Sequence, residues 1–246
     1  NRRQRKGDRV LKNYLAADTA SKYLCVVLCY RGKKYEIFKD DCAMRHSSEL
    51  MPAADKLFKE AGAEPSEMDF FACSVGAGSF TGIRIGIAAM KGFALATGKK
   101  ILPVTTFDCA AYNGEGKKIL CLCDALHAHY YACGYDESGK RTFPPAYISE
   151  AELRALAAQG YELRTLENPD FLPADLPCVR VTPAIALAGA AEKLSENPEN
   201  FKEPAALYIR KCQAEIEKEA KASAAAGEMS ADTKAADTKA AGGAAE

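Results

Sequence analysis

The chain of 246 residues reads as an α/β protein made of two related lobes. Three features predict this. Short β-rich runs alternate with segments of helical period along most of the chain. An aspartate closes the first strand of each half, Asp18 and Asp124, and a turn glycine follows 14 residues later in one half (Gly32) and 15 in the other (Gly139). A Gly-x-Gly-Ser loop, residues 76–79, joins a strand to an almost wholly apolar helix.

In the first half, Tyr14 to Ala17 reads as a short buried strand. Leu24 to Tyr30 and Tyr35 to Phe38 follow as a hairpin turning at Arg31-Gly32-Lys33. A helix is expected over 47–62, with Leu50, Ala54, Leu57, Phe58 and Ala61 on one face. Ser47 or Ser48 with Glu49 suits its start, Gly62 its end, and Pro52 a place near the first turn. A strand at 70–75, the loop, a helix at 82–97 and a strand at 101–104 complete this half. Within 82–97 only Arg84, Lys91 and Thr97 are strongly polar, so that helix must be covered on more than one side.

The second half restarts the plan with strands at 119–123, 129–135 and 142–148, a turn at Ser138-Gly139, and a capping box at Ser149 and Glu152 opening a helix. Irregular Pro- and Leu-rich sequence at 167–183 precedes a helix at 183–194. The expected organisation is therefore a basic arm (1–13), two lobes (14–112 and 113–215) and an Ala/Lys/Glu-rich tail (216–246). The tail's tandem ADTKA repeat has no large apolar side chain to bury and reads as disordered or as a frayed helix.

Lys+Arg and Asp+Glu number 33 each, so no global field steers the chain to nucleic acid or to anionic membrane. Ten cysteines include no CxxC pair, and Cys25, Cys29, Cys121, Cys123 and Cys133 fall in apolar strand-like runs. They read as reduced thiols acting as small hydrophobes in a cytoplasmic protein. No stretch is long and apolar enough to span a membrane.

The residues that could carry chemistry each have two readings. Asp18 and Asp124 at strand C-termini could share Mg²⁺ between lobes that close on a nucleotide, or each could cap its own turn. Gly76, Gly78, Ser79 and Thr81 could form a phosphate cradle at a helix N-terminus or a tight structural turn, with Ser79 or Thr81 as the cap. His127 and His129 would share one face of a strand, where they could chelate a metal or lie on a solvated face, with no third ligand evident, and His46 suits a polar cap or a partner contact. No nucleophile–base pair can be assembled, so no catalytic residue and no metal site is assigned.

The runs LAADTA (15–20), RHSSELMPAADKLFKEAG (45–62) and above all GAGSFTGIRIGIAAMKGFALATGKKILPVTT (76–106) resemble the TsaB (YeaZ) family. The family pattern G-x-G-S-F-T-G-x-R-x-G is met at Gly76, Gly78, Ser79, Phe80, Thr81, Gly82, Arg84 and Gly86. Asp124-Ala125 resembles the family's D-A-R, with Leu126 in place of the arginine, and residues 206–210 resemble its P-x-Y-L-R stretch. The resemblance implies an actin-like ATPase fold of the ribonuclease H-like kind. It also implies a non-catalytic subunit, not an enzyme by itself, that pairs with the paralogue TsaD, together with the ATPase TsaE. That complex performs threonylcarbamoyl transfer to the tRNA adenosine beside the anticodon. TsaD carries two metal-binding histidines four residues apart; their places here are Thr106 and Ala110. No tightly bound cofactor is expected, with ATP or ADP at the complex interface and tRNA reached through the complex. The alternatives are an actin-like ATPase or phosphotransferase, a glycopeptidase-like M22 metallopeptidase, and, for assembly, a homodimer. The resemblance also implies a partner surface on helices 47–62 and 82–97, formed by His46, Leu50, Ala54, Leu57, Gly82, Gly86, Ala89 and Phe93. The competing reading packs the stripe Gly82, Gly86, Ala89, Phe93 on its own sheet.

Overall fold

A computed structural model describes residues 12–210. The rest of the basic arm and residues 211–246, with the whole of the expected tail, lie outside the described residues. Lys12 and Asn13 are tied down: Asn13 donates its N–H to Asp69 (2.7 Å) and accepts from the N–H of Arg31 (2.8 Å).

Period-two alternation builds the first sheet. In β2 (Leu24–Tyr30), Leu24, Val26 and Leu28 face one layer, and Cys25, Val27 and Cys29 face the opposite one. All seven residues are buried, as a strand covered on both faces requires. β1 (Tyr14–Asp18) pairs antiparallel with β2 and parallel with β4 (Phe70–Ser74). β3 (Lys33–Lys39) flanks β2 and β5 (Lys100–Val104) flanks β4, giving the order β3-β2-β1-β4-β5.

The second sheet repeats this order. β6 (Ile119–Asp124) pairs antiparallel with β7 (His129–Tyr135), which pairs antiparallel with β8 (Arg141–Ser149). β9 (Glu162–Thr165) runs parallel to β6, and β10 (Cys178–Arg180) parallel to β9. Read as β8-β7-β6-β9-β10, the sheet matches the first strand for strand. β9 and β10 occupy sequence with no clear strand signal. β9 carries Arg164, buried because its guanidinium meets Glu162 (2.7 Å) and the carbonyl of Tyr112 (3.0 Å).

Helices α1 (His46–Ala61) and α2 (Phe80–Thr97) cover one face of the first sheet. Leu50, Ala54, Leu57 and Met90 lock into Leu15, Val26 and Phe71 there, each large apolar side chain contributing about 2 kcal/mol by burial. α1 begins at His46 without a side-chain cap; Ser48 donates instead to the carbonyl of Arg45 (3.0 Å). Pro52 lies in the second turn, not the first, on the exposed side. α1 ends at Gly62 in the left-handed region (φ 62°). α2 begins two residues earlier than expected, capped by Ser79, whose Oγ accepts from the Gly82 N–H at 3.2 Å.

The other face meets α3 (Thr106–Ala110) and α5 (Pro183–Leu194), and one core cluster runs from there to Ile119, Cys121 and Cys123 of the second sheet. The outer face of that sheet packs on α4 (Glu150–Ala157) through Leu153, whose N-terminal capping box at Ser149 and Glu152 is present. After α5 the chain returns as a strap over the first sheet. Phe201 meets Phe70 edge-on (5.3 Å), the Leu207 N–H reaches the Val75 carbonyl (2.7 Å), and Tyr208 stacks on Phe80 (4.4 Å). The described cysteines are all free and, except for the half-buried Cys178, all buried.

Candidate functional site: the cleft between the sheets

The loops at the C-terminal ends of β1 and β6 frame a cavity of about 440 Å³. Its walls come from Ala20 to Lys22, the start of α1, residues 78–85, residues 124–126 and Glu167. Equivalent strand ends of the two sheets therefore face one cleft, the usual place for a ligand in an open α/β sheet.

Asp18 and Asp124 perform the same local task in their own halves. Asp18 Oδ1 accepts the Ala20 N–H (2.9 Å), and Asp124 Oδ1 accepts the Leu126 N–H (2.8 Å). Asp18 is 1% exposed, and its second oxygen accepts the hydroxyl of Tyr23 at 2.7 Å. Burial raises its carboxyl against the pull of these hydrogen bonds. Asp124 lines the cleft, with Lys22 at 3.4 Å from its Oδ2, whereas Asp18 does not line it. Replacing Tyr23 by phenylalanine is expected to cost about 2 kcal/mol, because a fully buried carboxyl oxygen loses its donor; urea melts of the two proteins measure it.

Glu167, two residues past β9, is the site residue that the sequence conceals. Its Oε2 accepts the Asp124 N–H (2.9 Å) and its Oε1 the hydroxyl of Ser21, so one carboxylate bridges the loops of both sheets. Burial is the main cause of its raised carboxyl. No local pattern marks it, since Ser21 is 146 residues away in the chain.

The glycine loop is filled by the chain itself. The Ser79 N–H donates to Ala20 O (2.6 Å), and the Gly82 N–H is taken by Ser79 Oγ. A Cβ at Gly78 (φ 148°) would stand 2.1 Å from Ala20 O, and one at Gly82 2.0 Å from Thr19 O. Thr19 Oγ1 donates to Gly82 O (2.7 Å) and would lie 2.6 Å from a Cβ at Gly86. The glycines thus admit the turn after β1 against the start of α2. Gly76 is likewise buried, between Ile83 and the strap, and Thr81 stands exposed at the cleft.

His46 lines the cleft, 5% exposed, with Nε2 at 2.9 Å from Tyr23 O. His127 and His129 do not share a strand face. Leu126, His127 and Ala128 form a left-handed turn (φ 65°, 55° and 54°), and β7 starts only at His129, which stacks on Tyr147. Thr106 and Ala110 lie buried in α3, where Thr106 donates to Ala77 O at 2.7 Å.

The eight residues expected on a partner surface mostly face inward. His46, Leu50, Ala54, Leu57, Gly82 and Gly86 are buried within the chain. Ala89 and Phe93 are half-buried, and Phe93 stacks on Phe71 at 5.3 Å. α2 is apolar nearly all round, so its pattern does not fix which side meets the sheet. Its open side carries Arg84, Ala88, Gly92 and Leu95, and α1 adds Met51.

Two sheets of identical strand order, with their helices and a shared cleft, define an actin-like two-lobed α/β protein. The model of the family described as "TsaD: tRNA N6-adenosine threonylcarbamoyltransferase" matches residues 38–232. The TsaB protein of Haemophilus influenzae is 32% identical over 98 residues, 39% of this chain and 41% of that one. The Escherichia coli TsaB is 30% identical over 131 residues, 51% of this chain and 56% of that one. These matches span about half or less of the curated relatives' length. The structure of YeaZ from Pseudomonas aeruginosa superposes with a TM-score of 0.59 at 21% identity, over 80% of this chain and 99% of that one, and so shares its fold. The chain belongs to the TsaD family, and the curated relatives it resembles are TsaB proteins.

Proposed function

We propose that this chain is the non-catalytic partner of a TsaD paralogue in threonylcarbamoyl transfer to the tRNA adenosine beside the anticodon, acting in the cytoplasm with the ATPase TsaE. Family membership supports the process. The observation that carries the role is α3. The places of TsaD's two metal-binding histidines hold Thr106 and Ala110, both buried, with the threonine hydroxyl engaged by Ala77. Neither residue supplies the imidazole of that pair: Ala110 has no donor atom and the Thr106 hydroxyl is buried against Ala77 O, so in this reading the transfer chemistry falls to the partner. Among the described residues, no three His, Cys, Asp or Glu side chains gather closely enough to hold a metal elsewhere.

The cleft fits the same role. A polyphosphate there would meet Asp124 and Glu167, and the N–H groups of Ser79 in the glycine loop and of Gly82 in the first turn of α2 are already bonded within the chain. ATP or ADP then belongs at the interface with the partner. That interface is formed by the open faces of α1 and α2, through Met51, Ala88, Gly92 and Leu95, with Phe93 at the groove between the helices.

The test is a binding titration against purified TsaD paralogue, followed by reconstitution of tRNA modification with and without this chain. Pairing and a requirement for the chain support the reading; modification that proceeds fully without it overturns the reading. The isolated chain is expected to hydrolyse ATP negligibly and to carry no stoichiometric zinc or iron, as read by phosphate release and elemental analysis. Turnover that Asp124→Asn abolishes would favour the ATPase reading instead.

A further inference from the structure

At the far end of α2, away from the cleft, Lys91, Lys99, Lys100 and Lys202 line one groove, with Glu203 and the 88% exposed Leu95 on its rim. Distant parts of the chain meet here. Lys99 follows the C-cap Gly98, Lys100 opens β5, and Lys202 arrives on the strap, whose Lys202 N–H bonds the Ile101 carbonyl at 3.2 Å. Elsewhere among the described residues some lysines are matched with carboxylates, as in Lys34–Glu192, Lys117–Glu162 and Lys193–Glu115, while Lys33, Lys56, Lys118 and Lys140 are unmatched but fall at separate places in the chain. In this groove only Lys91 is matched, by Glu203; Lys99, Lys100 and Lys202 have no ion-pair partner among the described residues. On a chain with equal numbers of acidic and basic residues, that excess is local. The negative end of the α2 dipole favours a cation such as Lys99, but it gives no reason for the strap to deliver Lys202 to the same place.

We infer that this groove binds the phosphate backbone of RNA. The inference rests on the tRNA-modification reading for its choice of polyanion. Charge and shape supply the rest. Three unmatched ammonium groups around a concave surface suit a strand of phosphates, which can enter a groove, better than a flat lipid surface, which cannot. The aromatic ring in the groove, Phe201, is committed edge-on to Phe70, so it offers no platform for a base. Contact is therefore with phosphates and independent of sequence, positioning the RNA while the partner reads the adenosine.

The probe is a fluorescently labelled RNA stem-loop titrated with the full chain at several salt concentrations. Wild type is expected to bind with an affinity that falls steeply with salt. Lys99→Glu/Lys100→Glu/Lys202→Glu is expected to bind at least about tenfold more weakly at low salt, with the log–log salt slope flattened by roughly one unit per lysine. The Lys→Gln triple variant should give an intermediate loss, and Lys140→Glu, on the hairpin turn of the second sheet, none. Equal affinity of the triple variants and wild type overturns the inference. So does the absence of salt-dependent RNA binding by wild type, displacement of the RNA by polyglutamate at equal charge, or loss of binding to phosphatidylserine vesicles with RNA binding intact. Titration of the same variants with the TsaD paralogue keeps the two readings apart: lost RNA binding with intact pairing assigns the groove to RNA, while failed pairing by wild type counts against the subunit role alone.

Discussion

Gly82→Ala is expected to destabilise the folded chain by about 3 kcal/mol, although alanine is the better helix former by about 1 kcal/mol. A Cβ at this position would stand 2.0 Å from Thr19 O and 3.1 Å from its carbonyl carbon, and both are backbone atoms. Thr19 has little room to retreat. It is fully buried between Asp18, fixed by Tyr23 and the Ala20 N–H, and Ala20, whose carbonyl accepts from Ser79. The overpacking term therefore exceeds the propensity gain. Gly92→Ala is the internal control, because nothing lies within 4 Å of a Cβ built there, and it should raise stability by up to about 1 kcal/mol. Urea denaturation of both variants beside wild type checks the opposite signs. A Gly82→Ala protein as stable as wild type would mean that the turn after β1 does not press on α2.

Gly92→Arg is expected to abolish the proposed pairing with a TsaD paralogue, weakening it at least a hundredfold, about 3 kcal/mol, while the isolated chain stays folded. The position is exposed, in helical conformation and with free space around it, so the monomer accommodates the side chain. A helix packed across Ala88, Gly92 and Leu95 would not, since small residues there set a close approach and a new charge would be desolvated. Circular dichroism and a binding titration on the variant read the two effects separately. Ala89→Arg is a poorer probe, because Ala89 already packs against the core of its own lobe and the variant would confuse folding with binding.

Much of the fold is legible in the sequence because alternation and turn chemistry are local. Leu24, Val26 and Leu28 against Cys25, Val27 and Cys29 declare a strand buried on both faces, and Ser149 with Glu152 declares a helix start. The misses have identifiable causes. β10 has three residues and β9 four, too short to show a period, and β9 is held by a buried arginine. α3 is five residues long, yet its capping box at Thr105 and Asp108 was a usable signal. At the cleft, Asp18, Asp124 and the glycine loop are visible because each closes a local motif. Glu167 is not, because what defines it is Ser21 and Asp124 across the fold. The facing of α2 is hidden for a related reason: Gly82 and Gly86 look like a stripe made for a partner helix, but their small size answers to Thr19.

The route of the chain governs when the protein can finish folding during synthesis. The first sheet has all its strands once residue 104 is made, but its second face stays open until α5 at 183–194 and the strap beyond it arrive. Residues 113–182, which carry the whole second sheet, are in effect inserted into the first lobe. A nascent chain halted after α3 would present Tyr14, Ala16, Phe70 and Leu102 to water as one apolar surface. The N-terminal half is thus complete in sequence well before its second face can be covered, and the ribosome must deliver nearly the whole described chain before either lobe is closed.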